Sequence, residues 1–158
     1  DISNVTKEYV SWLNDKEVTK YSQVQYKKIS INSQKKYLNR VKNDQSSKIF
    51  GIFFESEHIG NILIKNINQI NKNAEISYLI GNKKFWGHGL GSLAVKHASD
   101  YCQNELSLIR VYAGVADHNI ASKKVLLNNN FKIEGRRKKH LYFENKFMDQ
   151  IDFGKTFL

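Results

Sequence analysis

Trp86-Gly87-His88-Gly89-Leu90-Gly91-Ser92 decides the fold of this 158-residue chain. Its three alternating glycines follow a strand-like run at 74–80 and open a helix-like run from 90 to about 105. Glycine has no Cβ, so a ligand can approach its backbone closely and unusual dihedrals cost little. The first N–H groups of a helix lack internal partners and lie at the positive end of its dipole. Strand, glycine loop and helix N-terminus together form a cradle for an anion, most often a phosphate.

N-terminal to the loop, 74–80 is a strand paired through a turn at 68–73. Residues 48–55 and 59–67 form a hairpin about Ser56-Glu57-His58. Earlier still, Thr6 reads as the N-cap of a helix with Glu8 in its first turn and Tyr9, Val10, Trp12 and Leu13 along it. Ser33 reads as the cap of a second helix, with Tyr37, Leu38 and Val41 on one face. C-terminal to the loop, Leu90, Leu93, Ala94, His97, Ala98, Tyr101 and Cys102 recur at helical spacing, so that stripe is expected to face the sheet. A strand at 108–115 follows, then a helix at 120–129 ending at Asn130, a residue that tolerates the left-handed conformation. Strands at 131–134 and 141–153 close the pattern, and the last of them offers an edge for a homodimer. The expected fold is one α/β (α+β) domain over 1–158. Its mixed, mostly antiparallel sheet is flanked by helices around a central β-α-β-α-β unit.

Composition narrows the function classes. With 41% hydrophobic and 12% aromatic residues, the chain can build a core and does not read as disordered. No apolar run approaches the ~20 residues of a membrane span. The polar opening does not read as a secretory leader, and a cytoplasmic protein without membrane contact is expected. The single cysteine, Cys102, excludes an internal disulfide and a cysteine metal cage; no His/Cys/Asp cluster has metal-ligand spacing, so no metal is expected. The formal charge of +10 raises nucleic-acid binding as an alternative of a different class. Apart from Arg136-Arg137-Lys138-Lys139 the lysines are scattered, and the charge reads as a solvated surface that favours anionic cofactors.

A nucleotide P-loop requires G-x-x-x-x-G-K-[ST], and no lysine precedes Ser92. The dinucleotide fingerprint G-x-G-x-x-G fails as well: the third glycine is one position early, and 106–116 carries no acid. What remains resembles the acyl-CoA loop of the GNAT superfamily of N-acetyltransferases, Gln/Arg-x-x-Gly-x-Gly/Ala, with Gly89 and Gly91 at its small positions. Trp86 stands where Gln or Arg is usual, which is similar to the branch holding the Rim-type ribosomal-protein acetyltransferases. A second block agrees: Asn119-Ile120-Ala121-Ser122, Val125-Leu126, and Asn130-Phe131-Lys132-Ile133-Glu134-Gly135 resemble that branch's Asn-x-x-Ser…Gly-Phe-x-x-Glu-Gly, with Asn130 in place of Gly. Met148-Asp149 with Phe153 is similar to its closing strand.

The resemblance implies acetyl-CoA as donor. Its pyrophosphate would sit on the amides of Trp86, Gly87, His88, Gly89, Leu90, Gly91 and Ser92. Its pantetheine would pair with strands that splay at 77–80, where Leu79 and Ile80 lie, and at 112–115. Asn119 would offer an amide, or cap its helix, and Lys83, Lys84 or Lys124 would meet the phosphates. Direct transfer needs a neutral amine, although an alkyl amine has a pKa of ~10. Glu75, on the strand leading into the site, is the first candidate base, and an N–H near 79–81 would polarise the carbonyl. Leu126 stands where many relatives carry a tyrosine, so Ser122 is the resemblance-based donor to the thiolate, with Tyr78, Tyr112 and Tyr142 in reserve. His97 reads as structural on the helix stripe, His140 as surface, and Cys102 as core.

The opening, from Tyr9 to Val18, resembles acetyltransferases acting on nucleotide-linked amino sugars in surface-glycan biosynthesis. Asn14, Asp15 and Glu17 would contact the sugar, and Arg136, Arg137 and Lys138 a nucleotide diphosphate. A protein α-amino group is the alternative acceptor. A polyamine fits a +10 chain less well.

Overall fold

Local capping sets the first elements of the computed structural model, which describes residues 4–157. Helix α1 (Lys7–Asn14) begins where Thr6 Oγ1 accepts the Tyr9 amide at 3.1 Å, and it buries Tyr9, Trp12 and Leu13. Helix α2 (Ile31–Asn43) begins earlier than expected. Ser30 is its N-cap, and Ser33 completes a reciprocal capping box by accepting the Ser30 amide at 2.9 Å. The predicted cap is thus the second half of a two-residue device. Both helices bury apolar residues in a cluster of Val5, Tyr9, Trp12, Leu13, Val18 and Leu38, against which Leu79 packs from the sheet.

Strands β1 (Lys48–Phe54) and β2 (Glu57–Asn68) form the expected hairpin, but the turn is Glu55-Ser56, both at positive φ (46° and 70°). Such a two-residue turn matches the twist of the strands it joins, and it draws Glu57 and His58 into β2. Strand β3 (Asn73–Ile80), helix α3 (Leu90–Asn104), strand β4 (Arg110–Ala116) and helix α4 (Ile120–Asn128) follow in the expected order. Asn130, at φ 63°, terminates α4 in the left-handed conformation. The charged run does not separate two strands. It lies inside β5 (Lys132–Phe143), and a turn at Glu144-Asn145, both at positive φ, leads to β6 (Lys146–Thr156).

The six strands are ordered β1-β2-β3-β4-β6-β5, with only β3 and β4 parallel, joined by the α3 crossover. The last strand is therefore interior. Ile151 and Phe153 of β6 are buried, whereas β5, with Arg136 to Lys139 exposed, takes the edge, where charge blocks further pairing. The dimer edge expected of the last strand is corrected accordingly.

Helix α3 meets the expected stripe in part: Ala98 and Cys102 are buried and Ala94 and Tyr101 pack against the core, but the buried face is turned toward Val95 and Ser99. The helix buries Val95, Ala98, Ser99 and Cys102, in line with Gly91, while Leu93 is 50% exposed and His97 lies at the surface. Small residues on that stripe let the helix axis approach the sheet, and close approach prevails over the bulkier stripe. Among the described residues, no helix is long and apolar enough to cross a membrane.

Candidate functional site

The glycine loop ends β3 and caps α3 with backbone alone. Gly87 and Gly89 have φ of 79° and 77°, a region that disfavours any residue with a Cβ. A Cβ on either would meet nothing within 4 Å, so their outer side is open space. Gly89 is the N-cap, and no side chain caps α3, whereas Thr6, Ser30 and Asn119 cap α1, α2 and α4. The first bond into the helix runs from the Leu93 amide to the Gly89 carbonyl at 3.0 Å. Leu90, Gly91 and Ser92 thus precede the ladder, and their amides point out of the helix end with no acid in the first turn. That end suits an anion.

Two predicted loop contacts have structural duties as well. Trp86 Nε1 donates to the Ile80 carbonyl at 2.8 Å, bracing the loop against the end of β3 with its indole 40% exposed. Gly91 is needed for packing: a Cβ there would lie 3.0 Å from Cε2 of Tyr78. Asn129, 7% exposed, went unnoticed in the sequence. Its Nδ2 donates to Ser92 O and Oγ (3.0 and 2.9 Å) and to Val125 O, tying the end of α4 to the first turn of α3.

Strands β3 and β4 pair only at Asn73↔Arg110, Ala74↔Val111 and Glu75↔Tyr112, then part. Hydrogen-bond alternation identifies the backbone facing the gap. The Arg110 amide donates to Lys72 O, and the Gly81 amide to Ile59 O at 2.8 Å. Even-numbered residues of β3 therefore face β4, and odd-numbered ones face β2. The Phe157 amide donates to Ile109 O, so even-numbered residues of β4 also face the gap. Tyr78 and the Ile80 amide on one side, and Gly114 and the Ala116 amide on the other, face the gap unpaired, while the Ile80 and Ala116 carbonyls accept from Trp86 Nε1 and the Asn119 amide at 2.8 Å each. Leu79, expected among the cofactor contacts, is instead paired with Asn61 and packed on the α1–α2 cluster. The Gly81 amide is engaged as well, so the N–H sought near 79–81 narrows to that of Ile80.

A cleft of about 360 Å³ occupies the gap, lined among others by Glu75, Tyr78, Gly114, Asn119, Ser122 and Gln150. Side chains alternate across β3, so Glu75 and Ser77 face the α1–α2 side, and Tyr78 the α3–α4 side. Glu75 sits at the closed end, 3.0 Å from Lys65 Nζ, and accepts from Asn66 Nδ2 at 3.1 Å. On the other side, the Tyr78 and Ser122 hydroxyls meet at 3.1 Å, and burial pushes the Tyr78 phenol up. Asn119 Oδ1 accepts the Ser122 amide at 3.2 Å, so Asn119 is a helix cap whose remaining polar group is its NH₂. Gln150 was also missed: a Cβ on Gly114 would lie 2.5 Å from its Nε2, so the glycine makes room for that amide. A glycine inside a strand is the signal that could have found it.

The residues expected to hold a sugar nucleotide are largely engaged internally. Asn14 Nδ2 donates to Val10 O and Ile29 O, and its Oδ1 accepts the Ile29 amide. Lys83 is clamped between Asp15 (2.9 Å) and Glu17 (2.8 Å), which removes all three from the expected contacts. Arg136 bridges Asp117 and Asp149, and Arg137 pairs with Asp152 at 2.7 Å. Arg136 holds the Asp149 carboxyl below the usual range, and Lys123 with Arg136 does the same for Asp117. Lys84 and Lys124 remain exposed beside the loop and α4. Burial pushes the Cys102 thiol up to about 12, which fits a core residue and no nucleophile. Among the described residues, no three His, Cys, Asp or Glu side chains gather as metal ligands.

Comparison with known proteins agrees with this geometry. The chain is 32% identical over 101 residues to the putative ribosomal N-acetyltransferase YdaF of Bacillus subtilis, covering 64% of this chain and 55% of that protein. It is 26% identical over 109 residues to the spermidine N(1)-acetyltransferase of Escherichia coli, covering 69% and 58%. The chain thus spans little more than half the length of these curated relatives. The solved structure of Mycobacterium smegmatis RimJ in complex with CoA-disulfide shares the fold at a TM-score of 0.88 and 18% identity, covering 99% of this chain and 79% of that one. Residues 5–132 match the acetyltransferase (GNAT) domain, and with its splayed β3–β4 pair and uncapped α3 this chain belongs to the GNAT acetyltransferase family.

Proposed function

We propose that this protein transfers an acetyl group from acetyl-CoA to a primary amine by direct transfer in a ternary complex. The parting of β3 and β4 beside an uncapped helix end carries this reading. It supplies an anion cradle continuous with a strip of unpaired backbone. The amides of Gly89, Leu90, Gly91 and Ser92 hold the pyrophosphate, with Lys84 and Lys124 in reach of the phosphates. Tyr78, Ile80 and Gly114 offer backbone to the pantetheine. Acetyl-CoA supplies an activated acyl group; the protein supplies proximity and orientation. The Ile80 amide stands ready to polarise the carbonyl, and Ser122 meets the sulfur from the α3–α4 side. Glu75, about 16 Å down the same strand, takes the amine's proton from the α1–α2 side through water in the cleft.

The amine belongs to a polar, singly charged acceptor. On the α1–α2 side the cleft offers Tyr21, Ser22, Gln23, Ser77 and Gln150, and its one carboxylate, Glu75, is already paired with Lys65. A polycation would need several open carboxylates there. Hydroxyl and amide donors suit the hydroxyls of an amino sugar, and a nucleotide carrier would rely on Lys138 and Lys139, since the arginines are engaged. A protein α-amino group is the second reading, favoured by the YdaF match.

Millimolar acetyl-CoA is expected to raise the melting temperature while NAD and ATP do not; no shift overturns the reading. Thiol release with UDP- and dTDP-linked amino sugars, N-terminal peptides and spermidine then ranks the acceptors, and turnover of peptides alone replaces the sugar by the protein acceptor. Glu75→Gln is expected to lower kcat/KM about 100-fold. The loss should be greatest at low pH, where the amine arrives protonated. A loss equal at every pH would assign Glu75 to holding Lys65 and Asn66.

A further inference from the structure

Tyr78 stands where the two sequence blocks of the site converge. Its ring packs on Gly91 of the glycine loop, and its hydroxyl lies 3.1 Å from Ser122 of the Asn-x-x-Ser block. Among the described residues, neither hydroxyl has a second partner. A phenol is the stronger donor and weaker acceptor of the two, so Tyr78 donates and Ser122 Oγ accepts. Ser122's own proton is then turned away from Tyr78. Asn119 fixes the Ser122 backbone, and Leu126, fully buried one turn on, leaves Ser122 as the hydroxyl that this face of α4 presents to the cleft.

We propose that Tyr78 is a positioning residue that orients the Ser122 hydroxyl proton into the gap, toward the departing sulfur. This rests on the acetyl-transfer reading. In that reaction a C–N bond forms as the C–S bond breaks. The sulfur leaves with the electron pair of that bond, stabilised by the Ser122 O–H. It then takes up one proton, balancing the one the amine gives up to Glu75 or solvent. A serine hydroxyl alone is a poor donor; accepting a bond from a phenol polarises it and strengthens the bond it gives. Burial holds the Tyr78 phenol above its ordinary value, which keeps it in the donating form.

Tyr78→Phe keeps the ring against Gly91 and removes only the hydroxyl. Titrating the thiolate absorbance of bound CoA is expected to show the thiol pKa rising by about one unit in this variant. With acetyl-CoA, kcat is expected to fall about 10-fold while KM for the donor holds. Ser122→Ala should match it, the double variant should be no worse than either single one, and Ser122→Thr should restore most of the rate. A wild-type thiol pKa and kcat in Tyr78→Phe, or losses that multiply in the double variant, would overturn the proposal. Calorimetry of the wild type with CoA separates the two readings. Without binding, the acetyl-transfer reading falls too; with binding and an unaffected Tyr78→Phe, only the role of Tyr78 falls.

Discussion

Gly89→Asp is expected to abolish CoA binding in a protein that still folds. The new Cβ meets no atom within 4 Å, so the substitution creates no clash. Its structural cost is the left-handed φ of 77°, about 1 kcal/mol for a residue such as Asp, which in a domain of this size lowers the melting temperature by a few degrees. The functional cost is larger. A carboxylate about 5 Å from a phosphate opposes it by about 3 kcal/mol at an effective dielectric near 20, so affinity falls at least ~100-fold. Gly89→Asn carries the same strain and nearly the same volume without the charge. Calorimetry on the pair isolates electrostatics: Asn should retain most of the affinity and Asp almost none. Equal affinities would remove the anion from the end of α3.

Trp12→Ala is expected to cost about 3–5 kcal/mol. The indole is 6% exposed, its ring centroid lies 5.8 Å from Tyr9 and 5.2 Å from His58, and a Cβ on Gly81 would overlap it. It wedges α1 against the end of β3, beside the Ile80 amide. Thermal melting should fall by roughly 10 °C or more. Below the transition, KM for the amine should rise more than KM for acetyl-CoA, because the α1–α2 side forms the acceptor half of the cleft. A drop of only 1–2 °C would show that α1 is not held by this residue.

Local signals were legible in the sequence and non-local ones were not. Thr6, the alternating glycines and Asn130 act on backbone a few residues away, so their capping and turn roles follow from neighbours in the chain. Ser33 was misplaced as a cap because a capping box holds two hydroxyl residues, and spacing alone does not say which one leads. The buried face of α3 is legible at Ala98 and Cys102, but Leu93 and His97 are exposed and Val95 and Ser99 buried, because the close approach at Gly91 against Tyr78 turns the helix and only the sheet reveals it. Arg136 and Arg137 read as open cations because their carboxylates are 13 or more residues distant, on β6 and before α4. Asn129 reaches a serine 37 residues back, and nothing near it in the chain marks that contact.

The bare end of α3 has a consequence for the protein's lifetime. A side-chain cap contributes about 1 kcal/mol to a helix, and α1, α2 and α4 have one while α3 does not. An anion that settles on those amides supplies the missing partner and stabilises only the folded form, by an amount that grows with its concentration. Proteases act on the unfolded fraction. On the proposed reading, the abundance of the protein in a cell should therefore follow the supply of acetyl-CoA: scarcity of the donor would shorten the life of the protein that uses it.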